Sequence, residues 1–99
     1  MKYEQLASTY KDDVIAEAMY ARELEYFHYE FDSINFMQLL TELPEGSARD
    51  DIENRLNDTL AQMDGVDRIY NALKSQITDI EAHQAAVQRA MVKRAKQVE

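Results

Sequence analysis

From residue 52 to residue 98, apolar side chains recur alternately four and three residues apart. This spacing is the heptad repeat, which keeps one apolar stripe of a helix turned towards a partner helix. Eleven of the fourteen stripe positions are apolar or tyrosine. The stripe consists of Ile52, Leu56, Thr59, Met63, Val66, Tyr70, Leu73, Ile77, Ile80, Gln84, Val87, Met91, Arg94 and Val98. We therefore predict an all-α fold in which this segment forms a coiled-coil-like helix.

The segment Pro44-Glu45-Gly46-Ser47 divides the chain into two helices. Proline disfavours helical geometry in the residue before it, and glycine tolerates left-handed geometry. Ser47, followed three residues later by Asp50, resembles the capping box that begins a helix. We therefore predict a long antiparallel helical hairpin. The elements of the single domain, residues 1–99, are helix 1 over about 10–43, a turn at 44–47 and helix 2 over about 48–97.

Asp64-Gly65 is a turn signal inside the predicted helix 2. Glycine destabilises a helix interior by about 1 kcal/mol. The heptad phase nevertheless passes undisturbed from Met63 to Val66, and a turn would give no reason to preserve it. We favour one continuous helix 2 with Gly65 as its weakest point.

Helix 1 carries apolar side chains on two sides. A helix in a simple hairpin needs only one apolar face, so helix 1 is expected to pack against more than helix 2. We expect Phe27 and Phe31 to fill the hairpin core, and Tyr26, Tyr29 and Phe36 to contact a second subunit or another protein. One stripe is Tyr20, Leu24, Phe27, Phe31 and Ile34, and the other is Ile15, Met19, Tyr26, Tyr29, Phe36, Leu40 and Leu43.

The two predicted helices differ in length. Helix 2 would span ~75 Å and helix 1 only ~50 Å, at 1.5 Å per residue. In a hairpin closed at residues 44–46, residue i lies opposite about 91 − i, so helix 1 ends near the level of residue 80. The stripe beyond that level would then lack an intramolecular partner, which favours a twofold dimer that forms a helical bundle. The predicted interface residues are Tyr20, Tyr26, Tyr29, Phe36, Leu40, Val87 and Met91.

The chain is acidic, with 11 Lys and Arg against 19 Asp and Glu and a net charge of −8. This balance argues against a nucleic-acid backbone or an anionic membrane as the main partner. The last 19 residues are an exception with a net charge of +2, from Arg89, Lys93, Arg94 and Lys96 against Glu81 and Glu99. Two interpretations stay open: cations that complement the helix dipole, or a basic tip that docks on Asp12, Asp13 and Glu17 of a second chain.

The sequence contains no cysteine, which excludes disulfides, thiolate nucleophiles and cysteine-ligated metals. The first five residues lack the apolar core of a signal peptide, and no apolar run approaches ~18 residues. We therefore expect a cytoplasmic protein that does not contact membranes.

Glu25 and His28 form a Glu-x-x-His pair, which places a carboxylate and an imidazole on one helix face. Ferritin-like bundles bind two metal ions with two such motifs and two further glutamates. Only one motif is present here, so a complete site would have to form between subunits. A ferritin-like metal-binding bundle is the alternative hypothesis, and otherwise we expect no metal or cofactor.

Motifs for catalysis are weak. Two isolated glycines cannot form a phosphate-binding loop, and neither histidine lies at helix spacing from a serine. Three carboxylate groups loosely resemble the magnesium ligands of helical pyrophosphatases: Asp12–Asp13 with Glu17, Asp50–Asp51 with Glu53, and Asp64 with Asp67. Such groups usually cap or solvate helices. We therefore expect no enzymatic activity.

These patterns favour a non-enzymatic protein–protein interaction module, such as an adaptor, an assembly chaperone or an inhibitor of a protein partner. One form of this hypothesis is a virus-encoded inhibitor that presents carboxylates to the basic cleft of a nucleic-acid-binding complex.

Overall fold

The computed structural model of the protein describes residues 2–98, which form three helices and no strand. The helices are α1 (Lys2–Glu42), α2 (Ser47–Lys74) and α3 (Ile80–Val98). Helix α1 packs against both α2 and α3, which confirms the predicted all-α hairpin architecture. The predictions for residues 1 and 99 and for the side chain of Val98 lie outside the described part of the chain.

Helix α1 begins at Lys2, so the predicted start near residue 10 is wrong. The Thr9 hydroxyl donates a hydrogen bond of 2.9 Å to the carbonyl of Gln5. This is the bond that threonine makes inside a helix and not the bond of a residue that begins one. The segment 2–9 also contains no glycine or proline that would interrupt the helix.

The turn between α1 and α2 lies where the sequence predicts it. Gly46 adopts a φ of 151°, a region that side-chain-bearing residues rarely occupy. Arg49 Nη1 donates to the carbonyls of Leu40 and Leu43, each at 3.0 Å, and so satisfies acceptors at the end of α1. Gly46 is the N-cap of α2, so the capping box predicted from Ser47 does not form.

Helix α2 packs antiparallel to α1 through the predicted heptad stripe. The stripe positions from Ile52 to Ile77 are all half-buried or buried. The Tyr70 hydroxyl donates to Glu23 Oε1 at 3.1 Å, which places these residues within two positions of the predicted register. The helix passes through Gly65 without a break, as the unbroken phase predicts.

The prediction of a single helix over 48–97 is wrong, because α2 ends at Lys74 and α3 begins at Ile80. Asp79 caps the new helix. Its Oδ1 accepts a hydrogen bond from the Ala82 N–H at 3.1 Å, and its carbonyl accepts one from the His83 N–H at 3.0 Å. The continuous heptad phase concealed this aspartate N-cap signal.

Helix α3 returns along α1, parallel to it. Arg89 bonds Asp13 and Lys93 bonds Glu17, in the same order on both helices. The expectation that residues beyond 80 have no intramolecular partner is therefore wrong. The buried positions of α3 are Ala86 and Ala90, which lie outside the heptad stripe.

The three helices form a layer about one helix thick. The molecule measures 66 × 31 × 16 Å, and its radius of gyration is 18.7 Å, against about 13 Å for a compact chain of this length. Within the described residues, the backbones of α2 and α3 do not approach each other. The core is accordingly small. The buried side chains are Ile15, Ala16, Met19, Ser33, Val66, Ala86 and Ala90.

Candidate protein-interaction surface

Three large apolar side chains on α1 form an exposed ridge. Phe27 is 61% exposed, Phe31 67% and Ile34 54%. Their spacing of four and three residues places them on one face of the helix. We call these three residues the α1 ridge. The prediction that Phe27 and Phe31 fill the hairpin core is therefore wrong.

The ridge is exposed because each neighbouring helix covers a different part of α1. Helix α2 packs on the stripe that includes Met19, Tyr26 and Ser33. Helix α3 packs beside Tyr20 and Leu24. Its Arg94 lies 5.5 Å from the ring centre of Tyr20 and lines a cleft with His28 and Tyr29. None of the three ridge residues lines that cleft, so α3 leaves them exposed.

An apolar groove of about 340 Å³ lies beside the ridge, between α1 and α2. Phe27 and Tyr26 line it from α1, and Val66, Asp67 and Tyr70 line it from α2. Leu60 precedes Asp67 by one heptad, so it lies on the same face of α2, and it is exposed. The apolar surface therefore continues from the ridge onto α2.

Polar side chains line one end of the groove. Arg22 Nη2 bonds Glu25 Oε1 at 2.7 Å, and Arg22 Nε is buried without a partner among the described residues. Burial raises the pKa of the Tyr70 phenol, and the hydrogen bond to Glu23 and the charge of Glu23 raise it further. Tyr70 therefore remains a hydrogen-bond donor at neutral pH.

The surroundings of the ridge are strongly acidic. Residues 22–34 contain four carboxylates against Arg22, which bonds Glu25, so their net charge is −3 with His28 neutral. The carboxylates are Glu23, Glu25, Glu30 and Asp32. A ligand of this surface would thus meet apolar side chains with a negative rim.

The predicted interface residues lie in three places. Tyr26, Tyr29, Phe36 and Leu40 are half-buried on the side of α1 that carries Met19 and Ser33. Tyr20 and Val87 are also half-buried, whereas Met91 is 46% exposed. The first four of these residues lie on the side of α1 that faces α2, Tyr20 lies beside Arg94 of α3, and Val87 and Met91 belong to α3. A contact between molecules through this set stays a prediction. The residues that sequence reasoning missed are those of the α1 ridge, although the apolar stripe that contains them was visible.

The Glu-x-x-His pair offers no observation in favour of a metal. Glu25 is paired with Arg22, and His28 Nε2 lies 3.6 Å from Asp32 Oδ2. Among residues 2–98, no three histidine or carboxylate groups are placed to hold a metal ion. A site assembled between subunits stays a prediction.

Each of the three predicted carboxylate groups contains side chains that bind cations of the chain itself. Asp51 bonds Arg55 at 3.0 Å, and Asp64 bonds Arg68 at 2.9 Å. Asp13 and Glu17 bond the basic residues of α3. The carboxylates therefore stabilise helices and helix contacts in this fold.

We find no match between this chain and the known protein families, the curated proteins or the solved structures. No helix in the described part of the chain combines the length and apolarity that crossing a membrane requires. The function must therefore be argued from the surface of the molecule.

Proposed function

We propose that this chain is a small, non-enzymatic protein-interaction module of the cytoplasm, which binds a partner protein through the α1 ridge. The exposure of Phe27 and Phe31 carries the proposal. Contiguous apolar patches with a polar rim typically mark surfaces that bind protein. Aromatic side chains are also the residues that most often dominate binding energy at such surfaces.

The acidic rim indicates the chemistry of the partner. Four carboxylates flank the ridge, so the complementary surface carries lysine or arginine around an apolar centre. An adaptor, an assembly chaperone and an inhibitor all fit this description. The inhibitor of a nucleic-acid-binding complex fits it as well, because the net charge of −8 suits a basic cleft.

The test is affinity capture from the native host with three baits. Wild type and Ile69→Asp should retain the same partner, whereas Phe31→Asp should lose it. Ile69 is the matched control because it is a large apolar residue that is exposed, like Phe31, but lies on α2 outside the ridge and the groove. Circular dichroism should show equal helicity for all three baits. Capture of the same proteins by all three would contradict the proposal.

Salt tests the inhibitor form of the proposal separately. Attraction between an acidic rim and a basic cleft is screened by ions, so the partner should dissociate as the salt concentration rises. Retention of the partner in molar salt would exclude an inhibitor that acts through its carboxylates, and would leave the ridge as the main contact.

A further inference from the structure

We propose that α3 can leave the α1 of its own chain and dock on the α1 of a second copy, while α2 and α3 straighten into one helix. The product is a domain-swapped dimer with twofold symmetry. This inference does not depend on the proposed function, because the α1 ridge takes no part in it.

The first residues between α2 and α3 keep helical geometry, whereas residues 77–79 are irregular. Residues 75–79 contain no glycine or proline. Ser75 has φ −64° and ψ −17°, which is right-handed helical geometry. The N–H groups of Gln76 and Ile77 donate to carbonyls three residues earlier, at 3.0 and 3.1 Å. A few backbone rotations near Thr78 and Asp79 would therefore continue the helix.

The heptad phase favours the straight form. The four-and-three spacing runs from Leu73 through Ile77 and Ile80 to Val87 and Met91, and the polar Gln84 is the one exception among these six positions. In the folded-back chain this stripe is broken, and Ile80 is 71% exposed. In the straight conformation the same apolar side chains form one continuous stripe, which can pack against another helix.

Release of α3 breaks few contacts. Among the described helices α3 packs only on α1, at the two buried alanines, the two ion pairs and the contact of Arg94 with Tyr20. Arg89 and Lys93 are roughly half-exposed in these pairs, and exposed ion pairs stabilise little. The second copy offers an identical surface, so the swapped dimer regains each contact that the single chain loses.

The helix registers predict what else the swap brings together. In a straight helix Lys74 lies 15 residues before Arg89. Because Arg89 docks beside Asp13 and α3 runs parallel to α1, Lys74 lies about four residues before the level of Lys2 on the receiving α1. In its own hairpin the register of Tyr70 with Glu23 places Lys74 beside Met19.

The straight helix runs antiparallel to the α1 of its own chain and parallel to the α1 of the second copy. The two α1 helices therefore run antiparallel to each other, with their N-terminal segments side by side. Residue i of one copy then lies opposite about 17 − i of the other, over residues 2–15. Tyr3 lies opposite Val14, and Ala7 lies opposite Tyr10.

This overlap covers a surface that nothing covers in the single chain. All residues from 2 to 11 are exposed, including Tyr3, Leu6 and Tyr10, which share one face of α1 with Val14. The chain exposes 7669 Å², whereas a folded monomer of its mass exposes about 5,800 Å². The difference of about 1,900 Å² exceeds the ~800 Å² that each partner of a standard interface buries.

A charge exchange between two variants tests the swap directly. Asp13→Lys with Glu17→Lys makes α1 repel α3, and Arg89→Glu with Lys93→Glu does the same from the other side. Each double variant alone should remain monomeric by native mass spectrometry. An equimolar mixture should give a one-to-one heterodimer, because both exchanged interfaces then pair opposite charges. Absence of the heterodimer would overturn the proposal, since contacts within one chain cannot be repaired by mixing.

Hinge variants test the straightening independently. Asp79→Ala removes the cap of α3, so its dimer should have a dissociation constant about tenfold lower than that of wild type, as measured by sedimentation equilibrium. Asp58→Ala is the control, because it changes the charge by the same amount. Ile80→Pro suits the first position of a separate α3 but breaks a continuous helix, so it should weaken the dimer at least a hundredfold. Ile80→Ala controls for the lost side chain. A dimer that survives Ile80→Pro unchanged would overturn the proposal even if the charge exchange gives a heterodimer.

Discussion

The Tyr70 hydroxyl on α2 donates a hydrogen bond of 3.1 Å to Glu23 Oε1 on α1, 47 residues earlier in the chain. Arg49 bonds backbone carbonyls near the turn, so among the described residues this is the side-chain-to-side-chain hydrogen bond that joins the two helices. It lies far from the turn, where it fixes the register of the hairpin.

Tyr70→Phe should lower the free energy of unfolding by about 1 kcal/mol, because it removes the bond and keeps the ring. Glu23→Gln in the same background should add little further loss. Urea denaturation of both single variants and the double variant measures the coupling, and Tyr10→Phe controls for the loss of an exposed hydroxyl. Strictly additive effects would show that the two side chains are not coupled.

The same pair predicts a loss of stability at alkaline pH. Burial, and then Glu23, raise the pKa of Tyr70 in the folded chain, whereas the unfolded value is about 10. The unfolded chain therefore loses this proton first, so the contribution is intact below pH ~10 and is lost as the pH rises through the folded pKa. Between pH ~10 and the folded pKa, stability should therefore fall less steeply with pH in Tyr70→Phe than in wild type. Parallel curves would contradict the assignment.

Gly65→Ala should raise the free energy of unfolding by about 1 kcal/mol, because alanine favours a helix interior more than glycine does. A methyl group at this position meets no atom within 4 Å. Thermal and urea denaturation measure the change. A loss of stability would mean that α2 bends at Gly65.

Gly46→Ala should have the opposite effect and destabilise the chain by about 1–3 kcal/mol. The space around Gly46 is also open, so the penalty comes from its φ of 151° alone. Comparison with Gly65→Ala by the same denaturation separates backbone strain from crowding. If the two variants were equally stable, the backbone at residue 46 would have changed to an unstrained conformation.

Ala86→Leu should detach α3, because Ala86 is fully buried and the larger side chain does not fit without displacement of the helix. Overpacking of this kind typically destabilises by about 1–3 kcal/mol. Hydrogen exchange should accelerate for α3 amides and remain slow in the α1–α2 hairpin. Ala85→Leu is the control, since Ala85 is exposed. Unchanged exchange in α3 would show that α3 does not depend on close approach at Ala86.

The hairpin was predictable because its signals are local and repeated. The turn at Gly46, the stripe from Ile52 to Ile77 and the antiparallel register all follow from backbone preferences and heptad spacing. Continuity through Gly65 agrees with the same spacing, although that spacing also predicted a helix through residues 75–79, where the chain is not helical. In contrast, the predicted start of α1 near residue 10 was wrong, because the helix already begins at Lys2 and Thr9 bonds the carbonyl of Gln5 inside it.

The α1 ridge could not be assigned from the sequence, because both stripes of α1 are apolar and spacing alone does not say which one a neighbour covers. The tertiary structure decides this through the position of α2 and the length of α3. Tyr26 faces the hairpin, and Phe27, one residue later and about 100° around the helix, is exposed.

The helical class of the chain, the turn at Gly46 and the pairing of α1 with α2 follow from the sequence, since each depends on residues close in the chain or on a period sustained over many turns. The reversal of the chain before α3 and the packing of α3 on α1 depend instead on contacts between residues far apart in the chain. The heptad phase is identical in a straight and in a broken helix. A cap contributes only about 1 kcal/mol, so the choice rests on long-range packing, such as the burial of Ala86 and Ala90 where α3 meets α1.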